Sequence, residues 1–107
     1  PHEGEPIITK HYPNSFIGTE LDQLLKDLGT KKLILAGFMT HMCINSTAHG
    51  GFNLGYECTV VASATATRGL VAANGNAISA QVVQDGAIAS TRDLYAAIAN
   101  TVEDIPN

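Results

Sequence analysis

Apolar positions along this chain fall into short continuous runs that alternate with segments of helical period. The run "PIIT" (residues 6–9) predicts a short buried strand with Lys10 at its carboxyl end. "KHYPNSFIG" is then a loop, punctuated by Pro13, Asn14 and Gly18. In "TELDQLLKDLG" leucines recur at 21, 24, 25 and 28, Thr19 can cap the start with Asp22 three residues on, and Gly29 ends it. A helix is predicted there. "KLILAG" (32–37) is apolar almost throughout, the pattern of a strand covered on both faces in a parallel sheet. A second helix is predicted over residues 40–54, stopped by Gly55, although adjacent Gly50 and Gly51 weaken its pattern in the middle. "YECTVVA" predicts a strand over 57–62 and "SATATRGLVAANGN" a loop. Beyond it come a short helix in "AISAQVVQ", a short strand in "GAIAS" (86–90) and a last helix in "TRDLYAAIANTV". Ser90 or Thr91 would cap that helix, with Leu94, Ile98 and Val102 on one face.

Strand and helix therefore alternate along the chain. Such alternation predicts the α/β class: right-handed βαβ units and a parallel sheet with helices on both faces, a Rossmann-like three-layer architecture. Sites in these sheets form at the carboxyl ends of strands. Lys10 and Cys43 both fall at such ends, Cys43 within the first turn of the second helix. At 107 residues, 45% of them hydrophobic, the chain makes one domain at most and is short for this architecture.

Charge narrows the partners. The formal net charge is −4 with only six Lys and Arg, so no basic cluster exists to meet nucleic-acid phosphates. No segment is long and apolar enough to form a membrane-spanning helix. Two cysteines, Cys43 and Cys58, are too few for a disulfide framework, and "PHEGEPIITK" is polar and Pro-broken rather than leader-like. A cytoplasmic setting with free thiols is the expectation. The sequence starts on Pro1 rather than a methionine, so a preceding portion of polypeptide has to be considered.

A cysteine at the start of a helix sits among unpaired backbone N–H groups at the positive end of the dipole, where thiolate is favoured. The same N–H groups can hold an oxyanion during acyl transfer. The competing reading is a small hydrophobe packed under the sheet, and spacing alone leaves both open. Cys58, inside its strand, reads as structural. A nucleophilic cysteine needs a neighbouring cation or base. Lys10 lies on the correct sheet edge to be one, with His11 and His41 as rivals. Four scattered histidines without a Cys-x-x-Cys pair give no metal-ligand spacing, so no metal and no cofactor is expected.

"TKHYPNSFIGTELDQLL" followed by "LILAGFMTHMCINSTAHGGFNLGYECTVVASATAT" resembles the cysteine hydrolases of the isochorismatase-like family. The matching positions are Lys10, Ser15, Phe16, Thr19, Leu21, Gly37, Thr40, Cys43, Thr47, Gly55, Tyr56, Ala66 and Thr67, and the resemblance runs from about Pro6 to the last helix. It implies an α/β enzyme with an Asp–Lys–Cys triad that cleaves small amides or related C–N bonds through a thioester, with Cys43 as nucleophile and Lys10 beside it. It also implies a non-proline cis peptide near Met39–Thr40 that, with Cys43, would aim N–H groups at the reacting oxygen. Phe16, His41 and Leu70 are candidate pocket walls for a small-molecule substrate.

Two positions depart from the family pattern. Ser63 stands where members commonly carry Asp. The triad aspartate belongs to a first strand upstream of anything in this sequence, and none of Asp22, Asp27, Asp85, Asp93 or Asp104 takes its place. The expectation is that residues 1–107 form the C-terminal portion of a single domain, incomplete at the N-terminus. An N-terminal segment or separate chain would complete the sheet, and assembly as a homo-oligomer is expected. The alternative is an inactive family member serving as a binding or assembly subunit. An unrelated flavodoxin-like binding domain is disfavoured, because no Gly-rich phosphate loop follows any strand.

Overall fold

The computed structural model describes residues 1–106; Asn107 lies outside the described residues. The elements run α1 (Leu21–Leu28), β1 (Lys32–Phe38), a π-helical turn (Thr40–Ile44), α2 (Asn45–Asn53), β2 (Glu57–Ala66), β3 (Leu70–Val71), β4 (Ala77–Ile78), α3 (Ala80–Leu94), β5 (Ala96–Ala99) and a 3₁₀ turn (Val102–Asp104). β1, β2 and β5 form a parallel sheet in the order β1-β2-β5, and β3 and β4 make a separate antiparallel ribbon. The parallel α/β class read from the sequence is therefore what the chain adopts.

Pairing aligns Leu33 with Cys58 and Cys58 with Ala96, then Leu35 with Val60 and Val60 with Ile98, so these side chains share one face. That face carries the core. Leu21 and Leu25 of α1 pack against Phe16, Tyr56 and Cys58, while Ile44, Ala48 and Ile88 close over Val60, Leu35 and Ile98. All three helices thus lie on the same face. Among the described residues the expected second helical layer is not present: Ile34 and Phe38 on the opposite face are 58% and 75% exposed. Apolar residues at both parities of "KLILAG" told of two buried faces, and this chain supplies the cover for one.

α1 is held by its carboxyl end and by one tyrosine; Glu20, not the expected Thr19, stands at its N-cap and makes no side-chain cap bond. Gly29 closes it in the left-handed conformation (φ 69°), its N–H going to Lys26 O while Thr30 N–H reaches Leu25 O. The buried Tyr56 hydroxyl donates to the Asp22 carboxylate at 2.6 Å. That bond, with Lys26 nearby, holds Asp22 below the usual carboxylate range and pushes the Tyr56 hydroxyl up to about 12. Gly50 and Gly51, which weaken the helical pattern, are what let α2 lie close. A Cβ on Gly51 would come 2.8 Å from the Cys58 sulfur, and one on Gly50 would collide with the Asn14 amide.

The C-terminal third departs most from expectation. No strand forms over residues 6–9, which have no ladder partner. The helix in "AISAQVVQ" continues through "GAIAS" to Leu94, and a strand, not a helix, occupies Ala96–Ala99. Gly86 has open space around it and costs a helix only about 1 kcal/mol, which packing of Ala87 and Ile88 offsets. Residues 96–99 then pair beside β2, where their backbone groups gain ladder bonds. β2 itself runs on to Ala66, and the following loop contains the small β3–β4 ribbon.

Thr91, expected as a cap, is instead completely buried: its hydroxyl donates to Asn45 Oδ1 at 2.7 Å, and Asn45 Nδ2 donates to Ala87 O at 3.2 Å. This link ties α3 to α2. Thr91→Val keeps the volume but orphans Asn45 Oδ1, and we expect a loss of about 1–3 kcal/mol in urea unfolding. An unchanged unfolding midpoint would show that the link contributes nothing.

Candidate active site

β1 leaves the sheet at its carboxyl end through Gly37, whose φ of 125° is one that L side chains rarely adopt. A cis peptide joins Phe38 to Met39, one bond earlier than the resemblance placed it. Met39 O then accepts the N–H groups of Met42 (3.0 Å) and Ile44 (3.4 Å), winding residues 40–44 into a wide turn that runs directly into α2. Cys43 is thereby carried at the start of a helical unit and is half-buried.

Lys10 arrives on the N-terminal stretch, outside any helix or strand. Its ammonium donates to Tyr12 O (3.0 Å) and Pro13 O (3.3 Å) and lies 3.2 Å from the Cys43 sulfur. The loop behind it is fastened to α2. Thr47, one turn beyond Cys43 on the same helix face, accepts Ser15 N–H at 3.0 Å and contacts Pro13 O at 3.3 Å. Asn14 Oδ1 accepts Phe16 N–H at 2.9 Å, making an Asx turn that seats against Gly50. Thr19 Oγ1 donates to Ser15 O at 2.6 Å and closes the loop. So Lys10 reaches the cysteine without a strand beneath it, because side-chain bonds to α2 replace the missing ladder.

A cavity of about 220 Å³ opens beside the pair, lined among others by Lys10, Ser15, Gly37, Phe38, Cys43 and Thr47, and it runs along β1. A larger hollow of about 590 Å³ lies elsewhere, around Lys32, Tyr56, Cys58, Tyr95 and Ile105, and contains neither Lys10 nor Cys43. Cys58 there is buried, and desolvation pushes its thiol up, which makes it inert. Chemistry, not size, selects the smaller cavity.

None of the three expected pocket walls lines that cavity. Phe16 is a core residue stacked on Tyr56 with ring centroids 5.6 Å apart. Leu70 belongs to the β3–β4 ribbon, opposite Ile78. The His41 ring turns away to meet Thr67 Oγ1 at 2.6 Å, which leaves Lys10 as the thiol's partner. A lysine-cysteine pair rather than a cysteine-histidine pair is what the fold assembles. Behind the Cys43 turn, Thr40 of the family motif meets a residue that no sequence signal marked. Thr40, completely buried, donates to Gln84 Oε1 at 2.6 Å, and Gln84 Nε2 donates to Thr65 Oγ1 at 2.9 Å. Gln84 could not be found from sequence while its helix was read as ending there.

The isochorismatase domain pattern matches residues 1–103. This chain belongs to the isochorismatase family. A crystal structure of an isochorismatase from Pseudomonas putida KT2440 is similar to it with a TM-score of 0.92 at 38% identity, over 98% of this chain and 54% of that one. The isochorismatase-family protein YddQ of Bacillus subtilis is 38% identical over 94% of this chain and 56% of its own length. The ureidoacrylate amidohydrolase RutB of Serratia proteamaculans is 37% identical over 61% of this chain and 26% of its own length. The isochorismatase-family chain described here thus spans about half the length of the relatives it matches. Among its described residues Lys10 has no carboxylate partner; the ion pair present is Lys26–Asp22 at 3.0 Å. No helix among them is long and apolar enough to cross a membrane.

Proposed function

We propose that this isochorismatase-family chain is the nucleophile-bearing part of a cysteine hydrolase acting on small amides or related C–N bonds. The observation that carries the reading is the Lys10 ammonium 3.2 Å from the Cys43 sulfur, at the head of a helical unit that follows a parallel strand. The adjacent cation favours thiolate. Attack of the sulfur on the carbonyl carbon forms a C–S bond and places charge on the carbonyl oxygen, which first-turn N–H groups around Thr40 and Cys43 can receive. Collapse of that adduct breaks the C–N bond, the amine leaving with a proton, and water then hydrolyses the thioester to the acid and free thiol.

The proton has to be relayed by a group that accepts and returns it. We assign that part to a carboxylate on a further polypeptide segment, from the same protein or a neighbouring subunit. Two features of the fold support this. β1 is an edge strand whose far side offers unpaired N–H and C=O groups, and Ile34 and Phe38 expose apolar surface beside it. A strand added there would run past Lys10 and Cys43.

A second reading, a member that binds without turnover, is favoured by the lack of a carboxylate beside Lys10 among the described residues. One experiment separates the two. The intact protein is incubated with a panel of small primary amides and ureido compounds, nicotinamide and ureidoacrylate among them, with hydroxylamine present. We expect ammonia release and a hydroxamate from the intercepted thioester. A panel that yields neither, while Cys43 remains alkylatable, would establish the binding subunit instead.

A further inference from the structure

We propose that Gln84 is a positioning residue for acyl transfer at Cys43, acting through Thr40; this rests on the reading of Cys43 as nucleophile. The hydrogen bonds run in one direction. Thr40 Oγ1 donates to Gln84 Oε1 (2.6 Å), Gln84 Nε2 donates to Thr65 Oγ1 (2.9 Å), and Thr65 Oγ1 donates to Ala62 O (2.9 Å). The primary amide of Gln84 offers an acceptor to one hydroxyl and a donor to the other from a single planar group.

What this relay joins is the reason to assign it a role. Thr40 opens the turn that bears Cys43 and has no exposure to solvent, so its hydroxyl depends on Gln84 alone for a partner among the described residues. Thr65 lies where the β1–β2 register breaks: Leu35 pairs with Val60, but Gly37 pairs with Thr65. The two strands are therefore irregular at the level where the turn leaves the sheet. The ladder resumes beyond that break, Gly37 pairing with Thr65 and Phe38 with Ala66, and stops where the turn begins. Gln84, reaching in from α3, adds a side-chain brace between the turn and β2 past the end of that ladder.

Met39 O takes the N–H groups of Met42 and Ile44, so the remaining amides of the turn are those available to a developing oxyanion. Their direction follows the placement of Thr40. A shift of a few tenths of an ångström in Thr40 would misdirect them while leaving the sulfur beside Lys10. Gln84 should thus matter to attack on a carbonyl and not to simple substitution at the sulfur, because only the first builds charge on an oxygen.

That contrast supplies the test. The intact protein and its Gln84→Leu, Gln84→Glu and Thr40→Val variants are compared with two reagents at fixed pH: p-nitrophenyl acetate, which acylates Cys43, and iodoacetamide, which alkylates it. Gln84→Leu should slow acylation roughly 10- to 100-fold while alkylation changes by less than about twofold. Gln84→Glu keeps the acceptor for Thr40 but loses the donor to Thr65, and should fall between wild type and Gln84→Leu. Thr40→Val combined with Gln84→Leu should cost little more than either alone, since both break one relay. Unchanged acylation in Gln84→Leu, or acylation and alkylation falling together, would overturn the assignment. If wild-type Cys43 reacts with p-nitrophenyl acetate no faster than a free thiol, the nucleophile reading fails and the Gln84 role with it; fast wild-type acylation confines any failure to Gln84.

Discussion

Cys43→Ala and Cys43→Ser in the intact protein should each reduce amide hydrolysis by on the order of 10,000-fold or more, the scale of losing a covalent nucleophile. The serine variant is the sharper of the two. It keeps a hydroxyl in nearly the same place, so a role in packing or substrate contact would survive it. A neutral hydroxyl beside an ammonium, however, is a far poorer nucleophile than a thiolate. Neither change should disturb the fold, because the side chain is half-buried at the edge of a cavity. Cys58→Ala is the internal control. Cys58 lies in the core with Phe16 and Tyr56, so its truncation should cost roughly 1 kcal/mol of stability and leave turnover intact. Activity retained in the Cys43 variants, or lost in Cys58→Ala without unfolding, would show that the wrong cysteine has been assigned.

Lys10→Met should produce the next largest effect. Methionine preserves the apolar stem and removes the charge 3.2 Å from the sulfur. Two unit charges at such range interact by about 1 kcal/mol in water and about 4 kcal/mol near a protein surface, and the half-buried lysine lies between these limits. Part of that is returned in alkylation, since a less stabilised thiolate is the more reactive one. Alkylation of Cys43 by iodoacetamide at neutral pH should therefore slow roughly 5- to 30-fold, with turnover reduced at least as much. The sign is fixed by the charge: the lysine favours the anion, so its removal should slow the reaction and not speed it. Tyr12 O and Pro13 O lose a donor as well, but they sit on an exposed loop where water replaces it. Unchanged alkylation kinetics would remove Lys10 from the chemistry despite its position.

The candidate pair was legible before any coordinates, and for different reasons at its two members. Cys43 follows an apolar run and a glycine and precedes a helix, a local arrangement that sequence period can reveal. Lys10 was placed correctly for a reason that did not hold: the strand expected under it does not form, and the bonds of Pro13 and Ser15 to Thr47 of α2, with the Asn14 turn inside the loop, position it instead. The pocket walls were not legible. Phe16, His41 and Leu70 are apolar or aromatic residues near the motifs, but side-chain direction is set by what each packs on, and none faces the cavity. Gln84 had no local signal at all, since its two partners lie far away in the chain.

The sequence by itself determined the α/β class, the first helix and its glycine stop, the central parallel strands and the strand–turn–helix that presents Cys43. Each of these depends on interactions within a few residues, where apolar period and capping residues speak directly. Only the tertiary structure decided the C-terminal third. There "GAIAS" joins a helix because Ala87 and Ile88 bury against the core, and "AAIA" becomes a strand because the edge of β2 offers it a ladder. The same holds for the double glycine of α2, unfavourable locally and required by the approach of Cys58 and Asn14. Intrinsic preference amounts to about 1 kcal/mol per residue or less, even for alanine and glycine at the two ends of the helix scale, so the packing or ladder that each segment meets in the fold makes the choice.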